Sequence, residues 1–178
     1  MAASEFAVTA DPEVRLTARH DAGWALAWSG RRTDALSALI SVAEDASRDL
    51  PDLAWDALGS AATVAYQSGT PASRQAVSRT LDLLERQSPP PPDRAPGLDL
   101  DALRLWIRAS ADPIGSRNQL LPQLRKIVGS PIEEPSLWRI GSVAWLLDES
   151  NLAITLLQDA MQRLRAPGVQ GSSGASLT

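Results

Sequence analysis

An all-α fold of antiparallel helical hairpins stacked as a solenoid is predicted by three observations. The first is a small-residue code: Ala22-Gly23 is followed twelve residues after the glycine by Ala35-x-x-x-Leu39, and Ile140-Gly141 at the same interval by Ala153-x-x-x-Leu157. Two helices approach closely when a glycine on one faces an alanine on the other, because no bulky side chain separates the backbones. A degenerate copy lies between them, in which Ala61-Ala62 and Gly69-Thr70-Pro71 lead to Ala76. The second is the punctuation of helix starts, in which a capping residue precedes a first-turn proline: Asp11-Pro12-Glu13, Thr70-Pro71 and Glu134-Pro135. The third is the lack of any convincing strand pattern across 178 residues that are 44% hydrophobic.

Taken in order, the helices are expected at about 12–29 and 33–48, 52–68 and 71–87, 99–111 and 116–128, and 135–148 and 151–165. Asp11 caps the first helix, and Glu13 places an acid at its positive end. Ser116-x-x-Gln119 reads as a capping box, with Pro122 then inside the helix, where it kinks it or moves its start to Leu121. Residues 1–10 are expected to be a disordered or cloning-derived N-terminus. The polyproline run in 88–97 is expected to be an extended linker between the second and third hairpins, since four consecutive prolines remove backbone donors. Ala166-Pro167-Gly168 stops the last helix, and 166–178 reads as the truncated start of a further repeat. The repeat domain itself spans 11–165.

A formal net charge of −4 and a pI near 5.0 argue against a nucleic-acid surface, which needs a concentrated basic stripe. With no cysteine, disulfides, thiolate metal sites and cysteine nucleophiles are excluded. The start, Met1 to Phe6, lacks a basic cluster and an apolar run, so no signal peptide is expected. No apolar stretch approaches the roughly 18 residues of a membrane span, and a cytoplasmic location is expected.

Tryptophan does nearly all the aromatic work: six against one tyrosine and one phenylalanine. Trp24 and Trp28 are four residues apart, and Trp138 and Trp145 seven, so each pair shares a helix face. These stripes read first as core and inter-repeat packing. The sharper reading is a concave groove that receives a ligand or peptide, with Trp28, Trp106, Trp138 and Trp145 as its aromatic surface and Arg108 and Arg139 as anion contacts. His20, the single histidine, is expected at the surface or a helix end, and no metal site is expected. Carboxylates such as Asp148-Glu149 read as caps, and no phosphate-binding glycine motif occurs, so no cofactor is expected.

Three segments carry a resemblance: Asp21-Ala22-Gly23-Trp24-Ala25-Leu26-Ala27-Trp28-Ser29-Gly30-Arg31, Leu53-Ala54-Trp55-Asp56-Ala57-Leu58-Gly59 and Pro135-Ser136-Leu137-Trp138-Arg139-Ile140-Gly141. The glycine-alanine pattern is similar to a loosened tetratricopeptide signature, with the period stretched to about 39 residues. Together the segments resemble the helical-repeat region of the large ATP-binding LuxR-type transcriptional regulators of actinomycetes. The resemblance implies a tetratricopeptide-like right-handed solenoid. It also implies a regulatory or sensor fragment, without catalysis of its own, that binds a protein or small-molecule effector and relays to ATPase and DNA-binding domains that this sequence lacks. Direct nucleic-acid or membrane binding is not expected, and self-association to a homo-oligomer stays open. The alternative is a free-standing protein-interaction adaptor of the same fold.

Overall fold

The computed structural model describes residues 11–87, 100–128 and 134–165, and these form an all-helical fold. Among the described residues, eight helices follow one another: α1 (Pro12–Trp28), α2 (Arg32–Ala46), α3 (Pro51–Ser68), α4 (Pro71–Gln87), α5 (Leu100–Ala111), α6 (Arg117–Val128), α7 (Glu134–Leu146) and α8 (Ser150–Arg165). The expected N-terminus, polyproline linker and C-terminal repeat start lie outside the described residues. Among the described residues, no helix is long and apolar enough to cross a membrane.

Local chemistry sets the boundaries. The Asp11 carboxylate accepts the Glu13 backbone N–H at 3.1 Å, and the Thr70 hydroxyl accepts that of Ser73 at 3.2 Å, so two of the three expected caps form, while Glu134, the third, is itself the first residue of α7. α1 and α7 end in the same way. The Gly30 N–H donates to the Ala27 carbonyl and that of Arg31 to Leu26, while Asp148 donates to Trp145 and Glu149 to Ala144. This double bond pattern is the Schellman stop, which requires a left-handed residue. Gly30 takes it at φ +83°, Asp148 at φ +61°, and Gly69 provides the left-handed cap of α3 at φ +67°.

Start signals at α6 work differently from the capping-box expectation. The Ser116 hydroxyl turns back to the Asp112 carbonyl, and the Asp112 carboxylate accepts the Gly115 N–H at 2.9 Å within the turn that precedes α6. Pro122 sits inside a helix that starts at Arg117, not at Leu121.

Each odd-numbered helix packs on the helix that follows it, and the odd helices also pack on one another in order: α1 on α3, α3 on α5, α5 on α7. α3 is the hub, with α1, α2, α4 and α5 around it. Its small residues make this possible: Ala54, Ala57, Gly59, Ser60, Ala61, Ala62 and Ala65 are all buried, leaving room for neighbours on every side.

The glycine code works through leucine. A Cβ built on Gly23 would stand 2.7 Å from a terminal methyl of Leu39, and one on Gly141 would stand 2.8 Å from Cγ of Leu157. The expected partners, Ala35 and Ala153, are buried beside them, but the notch is filled by the leucine one turn on. A larger knob fits because glycine removes a whole side chain, not merely its branches. Gly59 offers a third notch, to Leu103 of α5 at 2.5 Å. In the middle pair the small buried residue on α4 is Ser73, while Ala76 is only half-buried; the Ser73 hydroxyl bonds Thr70 and Ser68.

Candidate functional site

The odd-numbered helices line one open groove of about 400 Å³. α1 contributes Trp24; α3 contributes Asp56, Gly59, Ser60, Thr63, Tyr66 and Gln67; α5 contributes Leu103 and Trp106; α7 contributes Trp138, Arg139 and Ser142. A smaller recess of about 270 Å³ continues it past Tyr66, Trp106 and Ser142 to Trp145, Leu146 and Leu157. Aromatic rings thus run along the whole length, with an acid and a base among them.

The floor is held by a polar cluster. His20 is buried in the middle of α1, where it shares a hydrogen bond of 3.0 Å with Ser60 Oγ on α3. The Trp24 indole N–H donates to the same hydroxyl at 3.1 Å. The carboxylates of Asp56 and Asp21 lie 3.7 and 3.6 Å from the imidazole. A buried imidazole needs such partners, since an unpaired polar group in the interior is costly. The expected surface position for His20 is therefore corrected: the cluster pins α1 to α3 and fixes the Trp24 ring at the groove wall.

The six residues read from the sequence fall into different environments. Trp138 and Trp145 stand on one face of α7, 59% and 58% exposed. Trp106 is buried, its ring meeting Tyr66 edge-on at 6.0 Å, so it forms the groove's base. Arg139 lines the groove beside Trp138. Trp28 stands outside it, 84% exposed, stacked on Trp24 with centroids 6.2 Å apart. Arg108 does not reach the groove: its guanidinium bonds Glu85 of α4 at 2.6 Å, alongside Arg104 at 2.9 Å. The two-residue offset from Trp106 turns Arg108 about 200° around α5, away from the groove and toward α4.

Sequence reasoning missed Trp24, Tyr66, Asp56 and Ser60 as lining residues. Trp24 had its spacing to Trp28 as a signal; Asp56 and Ser60 had none, because only the packing of α1 on α3 gives them a role. Trp55 is fully buried, with Arg104 stacked over its ring at 5.7 Å, and belongs to the core. Among the described residues, no group of three His, Asp or Glu side chains is placed to hold a metal ion.

Comparison with protein-family models, curated proteins and solved structures finds no match to this chain.

Proposed function

We propose that the chain is a helical-repeat binding module, its helix pairs stacked as a tetratricopeptide-like right-handed solenoid that receives an effector or protein segment along its inner face. The observation that supports this is the groove drawn from α1, α3, α5 and α7, in which Trp138 and Trp145 expose large aromatic surface that a monomer seldom leaves bare without use. The three segments that resemble the repeat region of LuxR-type regulators add the setting. There, binding in the groove is relayed to ATPase and DNA-binding domains in the cytoplasm, and the module performs no catalysis and needs no cofactor itself. Such relay requires the effector to favour one conformation over another.

Intrinsic fluorescence tests the proposal, because the candidate contacts are themselves the fluorophores. Titration with candidate effectors, or with an ATPase domain encoded in the same reading frame, is expected to quench or shift the emission. Trp138→Ala and Arg139→Ala should each weaken binding about tenfold, near 1.4 kcal/mol. Unchanged affinity after alanine replacement of Trp106, Trp138, Arg139 and Trp145 in turn would remove the groove from consideration. The chain alone is expected neither to hydrolyse ATP nor to bind duplex DNA specifically. A reading frame without an ATPase or helix-turn-helix segment would favour the adaptor reading over the regulator.

A further inference from the structure

The outer face of α8 carries an apolar stripe that no described element covers. Ile154, Met161 and Leu164 are half-exposed, while Leu157, between them, is partly buried against Gly141. Their spacing of three, four and three residues keeps all four within an arc of about 80°. That is the a/d spacing of a two-stranded helical seam, lying beside the buried stripe of Ala153, Leu156 and Ala160 that packs on α7.

We propose that this stripe pairs with a second copy of the chain, α8 against α8 and antiparallel. The stripe is symmetric about Asp159, so a two-fold axis at that level sets Ile154 opposite Leu164 of the other copy and Leu157 opposite Met161. Ile154 and Leu164 then meet as exposed side chains, and Met161 covers the flank that Leu157 leaves outside the Gly141 notch, as an isologous interface demands. Charge supports the same orientation. Arg165 is exposed at the basic end of α8, whereas Asp148 and Glu149 precede its first turn. Glu149 is paired with Arg117 at 3.6 Å within its own chain, so the exposed carboxylate is Asp148; antiparallel pairing brings Arg165 to that end of the other copy's α8 and opposes the two helix dipoles. Parallel pairing would set like charges together at both ends. The four-residue seam extends about 15 Å, so the interface belongs to the small, weak class and the dimer should dissociate on dilution.

Sedimentation equilibrium of the whole chain over a wide concentration range tests this, with crosslinking as a second readout. The average mass should rise toward twice 19.0 kDa with concentration, Met161→Glu should hold it at the monomer, and Arg165→Glu should weaken association several-fold. Because the chain has no cysteine, engineered thiols report orientation cleanly. A variant carrying both Ile154→Cys and Leu164→Cys should oxidise to a covalent dimer, while either single variant should not. Efficient dimerisation of the single variants would mean parallel pairing and overturn the proposal. A mass that stays monomeric throughout would also overturn it. Association that appears only when the chain is cut after Arg165 would do the same, by showing that residues 166–178 cover the stripe.

Discussion

At Gly23 and Gly141 the close approach of two helices depends on the absence of one carbon atom. Any Cβ there would lie under 3.0 Å from the leucine that fills the notch, and a leucine would overpack the crossing. Gly23→Leu and Gly141→Leu should each cost about 2–3 kcal/mol in a denaturant melt. Asp148 is the opposite case, since it holds a left-handed conformation that suits glycine better. Asp148→Gly is expected to raise stability by up to about 1 kcal/mol, with a higher melting midpoint as the measurement. Ser60 serves two donors or acceptors at once, Trp24 and His20. Its replacement by alanine should cost about 1–2 kcal/mol, because the Trp24 indole and the buried His20 imidazole both lose this partner.

Helix limits were legible because their causes are local. Asp11, Pro12, Gly30, Gly69, Thr70 and Pro71 act on the backbone within one turn, and every observed helix starts and ends within two residues of its expected span. The failures at this scale have the same origin in reverse. At Ser116 the hydroxyl bonds the Asp112 carbonyl of the preceding turn in place of the expected capping box, and the sequence did not reveal that competing acceptor. Pro122 leaves an α6 carbonyl without its usual donor, yet it is exposed and lies between the buried anchors Leu120 and Leu124. Packing of those two leucines holds the helix through a residue that opposes it. Pro122→Ala should therefore stabilise the chain by about 1 kcal/mol or more, read as a higher denaturation midpoint with unchanged helical circular dichroism.

Across the whole molecule, the groove exists only because the odd helices stack in order, and that order depends on joints between pairs. The joint between α3 and α5 rests on Leu103 seated in the Gly59 notch, with Glu85 of α4 bridging Arg104 and Arg108. Gly59→Leu should loosen it, costing about 2–3 kcal/mol and displacing Trp106 from Tyr66; near-ultraviolet circular dichroism of the aromatic rings is the check. The site was less legible than the fold for the same reason. That Trp138 and Trp145 share a face follows from spacing alone, but whether a neighbour covers that face does not. His20 and Arg108 show the consequence, since each is placed by a partner on another helix: α3 supplies Ser60 to one, and α4 supplies Glu85 to the other.

The Trp24 and Trp28 rings, inclined by 29° at 6.2 Å, are close enough for their electronic transitions to mix. They are expected to absorb as a coupled pair, which would show as a two-signed circular-dichroism band on the short-wavelength side of the spectrum. One ring is tethered to α3 through Ser60 while the other stands in solvent, so the band depends on the last turn of α1 staying wound. Its loss on warming, ahead of the amide signal, would time the fraying of that turn without any attached dye, and Trp28→Phe supplies the blank.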